Sequence, residues 1–332
     1  MKNSKQIKIL LGSVVCLALC SLASLAFGAR YVSFSKVIST LIHFDTSTID
    51  EIVVIERIPR TIFSLLAGSA LGVSGALMQA ITRNPIADPS ILGVNTGASL
   101  FVVSGIAFFR IDTASQYIWF ALIGATLTAI FVYGIGSMGS GGATPIKLAL
   151  AGAATSAALS SLVSAIVLPR TDVMNAFRFW QVGSVSGATW DGIATVIPFL
   201  ILGMLLGICL APTLNALALG DDVATSLGVK TSTIRIIVAF AGVLLCGATT
   251  ALAGPISFVG LMVPHMMRFL CGPNLQYIIP MSAIGGAVIL TTSDIIGRLI
   301  GSPSELEAGI ITAFLGAPIL IVIAMRAKVR SL

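Results

Sequence analysis

The sequence predicts an all-α polytopic membrane protein, because of its composition, its charge-free segments and the distribution of its basic residues. Hydrophobic residues make up 56% of the 332 residues, charged residues make up only 10%, and the mean hydropathy is +1.03. This composition excludes a soluble globular protein, since too few charges are present to cover a surface of that size. The net charge of +6 reflects membrane orientation rather than nucleic-acid binding, because no basic cluster is interleaved with aromatic residues.

Ten apolar segments have lengths near the roughly 20 residues that cross about 30 Å of hydrocarbon. We predict membrane spans over residues 9–29, 61–82, 90–109, 117–137, 148–168, 192–211, 236–253, 258–270, 277–292 and 308–325. The eighth of these is short. An even number of spans places both termini on one side of the membrane.

Basic residues indicate which side that is. On the side of the termini lie eleven of the 19 Lys and Arg residues against three acids, whereas the other side has eight basic and ten acidic residues. Both termini are basic: Lys2, Lys5 and Lys8 at the start, and Arg326, Lys328 and Arg330 at the end. By the positive-inside rule we expect both termini in the cytoplasm.

The first predicted span also has the basic start, apolar run and small-residue end of a secretory signal. Its apolar run is long for a signal core, and its removal leaves an odd number of spans. We therefore keep it as a span and treat residues 1–332 as a single transmembrane domain.

Residues 214–229, with the sequence LNALALGDDVATSLGV, form what we call the elbow. They predict two small helices: Gly220 suits a left-handed position that ends the first, Asp221 or Asp222 can cap the second, and Gly228 can end it. Uncharged runs of 29 residues (192–220) and 32 residues (236–267) lie on either side. The elbow must therefore lie at a membrane surface, where a soluble partner can push on the spans.

No residue pattern predicts an enzyme, a cofactor site or a metal site. His43 and His265 lack companion ligands at metal-binding spacing, and all five cysteines fall in apolar segments, where a structural role is the default. The phosphate-binding pattern G-x-x-x-x-G-K-[ST] is absent. No carboxylate lies in the middle of a predicted span, which argues against proton or sodium coupling. Energy for any transport must therefore come from a source other than such a gradient.

Three arginines lie at the outer ends of predicted spans. Arg57 and Arg60 precede the second span, and Arg298 follows the ninth, one helical turn after Asp294. Their guanidinium groups can form charge-assisted, fork-like bonds to carboxylates of a docking protein. Snorkelling at the interface or local pairing explains them equally well. The local carboxylates are Glu56, Asp294 and Glu305.

Small residues and an inner turn complete the pattern. Glycine pairs at Gly68 and Gly72 and at Gly93 and Gly97, and an Ala/Ser-rich run over 151–164, favour close packing of helices in lipid. The segment 83–89, RNPIADP, is a polar turn in which Arg83 can pair with Asp88. The turn is explained either by structure alone or by a functional contact.

Ordered motifs along essentially the whole chain resemble permeases of the FecCD type, the membrane subunits of binding-protein-dependent ABC importers for iron-siderophores, haem and cobalamin. The matching segments are RIPR at 57–60, Ala67-Gly68, Ser74-Gly75, Gln79, RNPIADP at 83–89, Leu92-Gly93, Gly97-Ala98, Phe179-Trp180, Gly183-Ser184, Trp190, Leu214-Asn215, Leu219-Gly220, Leu227-Gly228, GPISFVGL at 254–261, Pro264-His265, Arg268, Asp294 with Arg298, and GAP at 316–318. Two departures are Glu307, where the family pattern E-L-P-x-G has proline, and the segment SDIIGR at 293–298, where it has A-D-x-x-A-R.

The resemblance implies a type II ABC importer permease with ten spans, which pairs with a second copy or a paralogue around a central path. It also implies that separate ATP-binding-cassette subunits hold the elbow and that a substrate-binding protein or lipoprotein docks outside. Coupling residues implied in the elbow are Leu214, Asn215, Leu219, Gly220, Asp221, Asp222, Ala224, Leu227 and Gly228. Arg57, Arg60 and Arg298 match docking positions, and Gly142, Ala143 and Thr144 match a cytoplasmic gate by position.

The leading hypothesis is therefore an ABC importer permease for a ferric siderophore. Haem or cobalamin uptake is the alternative within the family. An ion-coupled secondary carrier is the alternative from another class, and the missing mid-span carboxylates argue against it. A non-transporting membrane anchor has no need of ten glycine-rich spans.

Overall fold

A computed structural model describes residues 2–44, 46–138 and 144–326, and these residues contain helices and no strands. The helices are α1 (Lys2–Ala26), α2 (Phe34–His43), α3 (Ile49–Thr82), a 3-10 turn (Pro89–Leu92), α4 (Val94–Ser104) continued by a π turn (Gly105–Phe109), α5 (Ala114–Gly136), α6 (Pro145–Val167), α7 (Thr171–Val182), α8 (Trp190–Ala218), α9 (Asp221–Ser226), α10 (Thr231–Ala253), α11 (Val259–Cys271), α12 (Leu275–Ile300) and α13 (Ala308–Arg326). The prediction of an all-α membrane fold is confirmed.

Seven helices in the described part of the chain are long and apolar enough to cross a membrane, and three shorter apolar helices account for the other predicted spans. The shorter ones are Val94–Phe109, Val259–Cys271 and Ala308–Val322. At about 1.5 Å per residue, the 13 residues of α11 extend only about 20 Å, so this helix does not cross the hydrocarbon alone.

Helix α3 begins twelve residues before the predicted second span, at Ile49 rather than at residue 61. Its start is fixed by a capping box, in which the Thr48 amide donates to Glu51 Oε2 at 2.8 Å. Charged residues after this cap remain helical instead of forming a loop. Arg57 and Arg60 therefore lie inside a helix.

Glycines allow α3 to pack at the centre of the bundle against α12 and α11. A Cβ on Gly68 would lie 2.3 Å from Gly286 O, and a Cβ on Gly75 would lie 1.8 Å from Gly260 O. Both approaches are too close for any side chain, so the backbones themselves are in contact. The predicted packing role of Gly68 is confirmed by this geometry.

Among the seven long apolar helices of the described residues, α6 is the least buried. Gly152 fits closely against Ile91 O of the 3-10 turn, but most other residues of α6 are exposed or only half-buried. The close packing predicted for the Ala/Ser run over 151–164 is present at Gly152, whereas most of the run is exposed in this protomer. A surface rich in Ala and Ser remains open.

Side-chain contacts distinguish two ends of the bundle. At the arginine end, side chains of α3 and α12 bond to carbonyls near the last turn of α1. At the elbow end, the C-terminal ends of α3 and α8 meet α9 and the starts of α10 and α12. The predicted functional residues fall into these two groups.

Candidate functional site

The elbow has one small helix rather than two. Helix α8 continues to Ala218, so the first small helix predicted for the elbow is the end of a 29-residue helix. Gly220 has a φ of 119° and a ψ of 155°, which is a positive-φ conformation that suits glycine but lies outside the predicted left-handed helical region. Gly220 is the N-cap residue of α9. Asp221 and Asp222 lie in the first turn of α9, and neither caps the helix with its side chain. Gly228 has a φ of 82° just after α9, close to the predicted end.

Asp221 joins three helices at the elbow end. Its Oδ1 accepts from Arg83 Nη2 at 2.5 Å, and both of its carboxylate oxygens accept from Arg235 Nη2 at 2.9 Å. Arg83 also donates from Nη2 to Leu217 O at 2.6 Å. We call Asp221 with these two arginines the Asp221 clamp. It attaches α9 to the end of α3 and the start of α10.

The predicted pairing of Arg83 with Asp88 is wrong. Arg83 turns to Asp221 and Leu217, because the end of α8 packs beside the end of α3. Asp88 caps the 3-10 turn instead, accepting from Ser90 N at 2.9 Å, and forms no salt bridge within the described ranges. Desolvation by the surrounding protein raises the pKa of the Asp88 carboxyl above its ordinary value.

The elbow has a buried face and an exposed face. Leu214 and Ala224 are fully buried, and Asn215 donates from Nδ2 to Asn274 Oδ1 at 2.7 Å, at the start of α12. Leu219 and Leu227, by contrast, are 66% and 64% exposed. Val223 and Asp222 are exposed between them. The elbow is thus anchored on one side and presents leucines on the other, as a partner-binding surface does.

At the arginine end, Arg57 and Arg298 bond to the last carbonyls of α1. Arg57 donates to Leu25 O at 2.9 Å and to Ala26 O at 3.2 Å, and Arg298 donates to Ser24 O at 3.0 Å and to Phe27 O at 2.9 Å. These carbonyls have no partner within the helix, and the negative end of the helix dipole favours a cation there.

Arg60 pairs with carboxylates within the protomer. It donates to Asp294 Oδ1 at 2.7 Å and to Glu305 Oε2 at 2.6 Å, and Arg298 pairs with the other Asp294 oxygen at 3.0 Å. Arg298 is only 1% exposed. The local pairing left open by the sequence is present for Arg60 and Arg298. Docking by these residues therefore stays a prediction, and in this arrangement Arg298 offers no surface to a partner.

Of the predicted gate, the structure describes Thr144 alone. Gly142 and Ala143 lie outside the described residues. Thr144 precedes α6, and its Oγ1 accepts from Lys147 N at 3.3 Å. Sequence reasoning did not assign Arg235 or Asn274 to the elbow, because their positions along the chain gave no sign of the contact.

The model of the FecCD transport family matches residues 16–326. The chain belongs to this family. A ferric enterobactin transport system permease protein of Escherichia coli K12 is 41% identical over 95% of this chain and 94% of its own length. A probable siderophore transport system permease protein of Bacillus subtilis 168 is 38% identical over 92% and 91%. A Fe(3+)-citrate import system permease protein of the same bacterium is 40% identical over 92% and 90%.

Solved structures agree with this membership. A structure described as an inward-facing metal-chelate type ABC transporter superimposes with a TM-score of 0.84, at 27% identity, over 97% of this chain and 99% of that chain. PsaBC from Streptococcus pneumoniae, at 16% identity and a TM-score of 0.61, shares the fold alone. As a FecCD member, the chain is a multi-pass ABC transporter permease, a transport subunit that works with ATPase and substrate-binding components rather than an enzyme.

Proposed function

We propose that this FecCD permease moves an iron(III)-siderophore complex across the bacterial cytoplasmic membrane, driven by separate ATP-binding-cassette subunits. The observation that supports this most is its 41% identity, over nearly the full length of both chains, to a ferric enterobactin permease. Other relatives are named for siderophore, ferric citrate and ferric hydroxamate transport. Their common cargo is chelated ferric iron.

The elbow is the proposed contact with the ATPase subunit. Its exposed Leu219 and Leu227 supply an apolar surface, and Asp222 lies exposed beside them. The buried residues and the Asp221 clamp would pass movement of α9 to α3 and α10, since a helix fixed by ion pairs moves with its neighbours. Residues 214–229 would then act as one rigid connection.

Arg57, Arg60 and Arg298 are the proposed docking surface for a substrate-binding protein or lipoprotein. Together with Asp294 and Glu305 they form a cluster with a net charge of +1, which attracts carboxylates. Arg57 and Arg60 remain partly exposed, so they are the members that a partner reaches first. Arg298 would act behind them, by holding Asp294 and the end of α1.

A second copy or a paralogue would pair with the open face of α6. This face is rich in small and hydroxyl residues, with Ile146, Leu150 and Leu162 exposed among them. Small residues of this kind favour close helix–helix contact in membranes. Thr144, with Gly142 and Ala143 before it, would form the cytoplasmic gate at the start of this helix. The whole chain, 1–332, would serve as one permease domain with both termini in the cytoplasm.

Uptake into vesicles tests the cargo and the energy source together. The permease is reconstituted with its ATPase and binding protein. Ferric siderophore and haem labelled with radioiron, and cobalamin labelled with radiocobalt, are supplied in parallel. We expect ATP-dependent uptake of the ferric siderophore only. Preferential uptake of haem or cobalamin would assign the alternative cargo, and uptake driven by an ion gradient without ATP would exclude the ABC mechanism.

Charge reversal tests docking. Arg57→Glu should weaken binding of the substrate-binding protein, most strongly at low salt, because the interaction is electrostatic. Arg30→Glu is the matched control, since Arg30 lies at the same end in an exposed pair with Asp50. Equal affinity of both variants and of the wild type would exclude a docking role for Arg57.

A further inference from the structure

An apolar groove lies between α5 and α10, and its lining residues are distinct from those assigned above to transport, although one end reaches Arg235 of the Asp221 clamp. Its volume is about 360 Å³. Residues on its walls include Thr126, Ile130 and Gly134 of α5 and Ile236, Phe240 and Leu244 of α10. Each wall covers about eight residues of helix, or about 12 Å along the bilayer normal. A groove of this length with an almost wholly apolar lining suits part of a hydrocarbon chain better than a polar solute.

The outward side of this groove is apolar and exposed in the protomer. Large apolar residues at its rim are exposed in the protomer: Ile130 by 63%, and Ile236 and Phe240 by 49% each. On the same helix as Ile130, Trp119 and Ile123 are also exposed. Close helix–helix interfaces in membranes favour small residues, whereas exposed large apolar side chains of this kind suit contact with acyl chains.

One end of the groove is basic. Ile236 follows Arg235, and Tyr133 of the groove wall lies close enough to Arg235 to interact with its charge. Only Nη2 of Arg235 bonds to Asp221, and its buried Nε has no hydrogen-bond partner among the described residues. Lys230 is also at this end, one residue before α10. The acids there are Asp221, which the two clamp arginines already neutralise, and the exposed Asp222.

We propose that the groove is a binding site for an anionic phospholipid, with one acyl chain between α5 and α10 and the phosphate beside Arg235. Juxtamembrane Lys and Arg residues attract anionic lipid head groups, and an apolar groove supplies the chain contact that a free phosphate lacks. Because Arg235 also holds Asp221, a bound head group lies next to the clamp. The lipid would therefore influence how firmly the elbow is attached.

Gly134 allows the chain site to be filled without disturbing the fold. A Cβ at Gly134 meets no heavy atom within 4 Å, and the same holds for Gly12 in α1, which lies outside the groove. Gly134→Leu is thus the test variant and Gly12→Leu its matched control. Phe240→Ala, which removes an exposed ring from the wall, is the second test should Gly134→Leu fold poorly.

The experiment is native mass spectrometry of the full-length permease from nanodiscs that contain equal amounts of phosphatidylglycerol and phosphatidylcholine. We expect wild type and Gly12→Leu to retain phosphatidylglycerol in preference. Gly134→Leu should retain roughly tenfold less, as expected when about two methylene groups of the chain can no longer be buried. Arg235→Gln should bind both lipids equally.

Two outcomes would overturn the proposal. One is equal retention of phosphatidylglycerol by wild type, Gly134→Leu and Phe240→Ala, which would place the lipid elsewhere. The other is a wild type that retains both lipids equally or neither.

Discussion

Replacing Asp221 with Asn should loosen α9 without unfolding the spans. The change removes the carboxylate that accepts from Arg83 and from Arg235, at distances of 2.5 and 2.9 Å. Asp221 and Arg83 are 44% and 40% exposed, whereas Arg235 is only 23% exposed. Exposed ion pairs contribute about 0.2–1 kcal/mol each, and the two-oxygen contact with Arg235 favours the upper part of that range. The local free energy of opening should therefore fall by about 1–2 kcal/mol.

Hydrogen exchange measured by mass spectrometry is the assay, with the full-length permease in nanodiscs. A fall of about 1–2 kcal/mol corresponds to a loss of protection of roughly 5–30-fold in peptides from α9, with spans such as α3 unchanged. The effect should shrink at high salt. Asp222→Asn is the matched control, because it removes the same charge from the same first turn but no ion pair of the clamp. Equal protection in the two variants would refute the clamp.

Two further variants test the arginine end and the helix packing. Arg298→Met should lower the free energy of unfolding by about 3–5 kcal/mol, since it leaves buried carbonyls and a carboxylate without their cation. The control Arg30→Ala, which removes an exposed ion pair, should lower it by no more than about 1 kcal/mol. Equal melting temperatures of the two variants in detergent would contradict the role of Arg298 at the end of α1. Gly75→Ala should destabilise the bundle by about 1–3 kcal/mol because the added Cβ meets Gly260 O. The control Gly12→Ala should be neutral or stabilising. Similar melting temperatures of these two variants would show that α3 and α11 are free to separate.

The sequence predicted the spans well and their ends poorly. Charge-free runs define a span in lipid, because every ionised group there is costly. Helix ends depend on caps and neighbours instead. Helix α3 starts at a capping box twelve residues before its apolar run, and α8 continues seven residues beyond the predicted end at residue 211. Both extensions lie outside the apolar segments from which the spans were predicted, so hydropathy alone could not locate these helix ends.

Contacts at the elbow could not be predicted from spacing along the chain. Asp88 is the acid nearest to Arg83 in sequence, but Asp221, 138 residues away, is the one that binds it. The choice follows from packing of the ends of α3 and α8, which brings Leu217 O and Asp221 to the same guanidinium. The residue pattern indicated a break at Gly220 with a short helix after it, yet it assigned no role to Arg235. The partners of a surface charge are set by tertiary structure.

At the arginine end, the residues proposed for docking also hold the fold together. Arg57 and Arg298 bond to the α1 carbonyls, so reversing either charge weakens both the end of α1 and any docking surface. Loss of docking in Arg57→Glu is therefore meaningful only if Arg57→Lys, which keeps the charge but loses the fork of donors, docks normally while its melting temperature falls. If both variants lose docking in proportion to their loss of stability, the position of α1, rather than the charge of Arg57, is what a binding protein recognises.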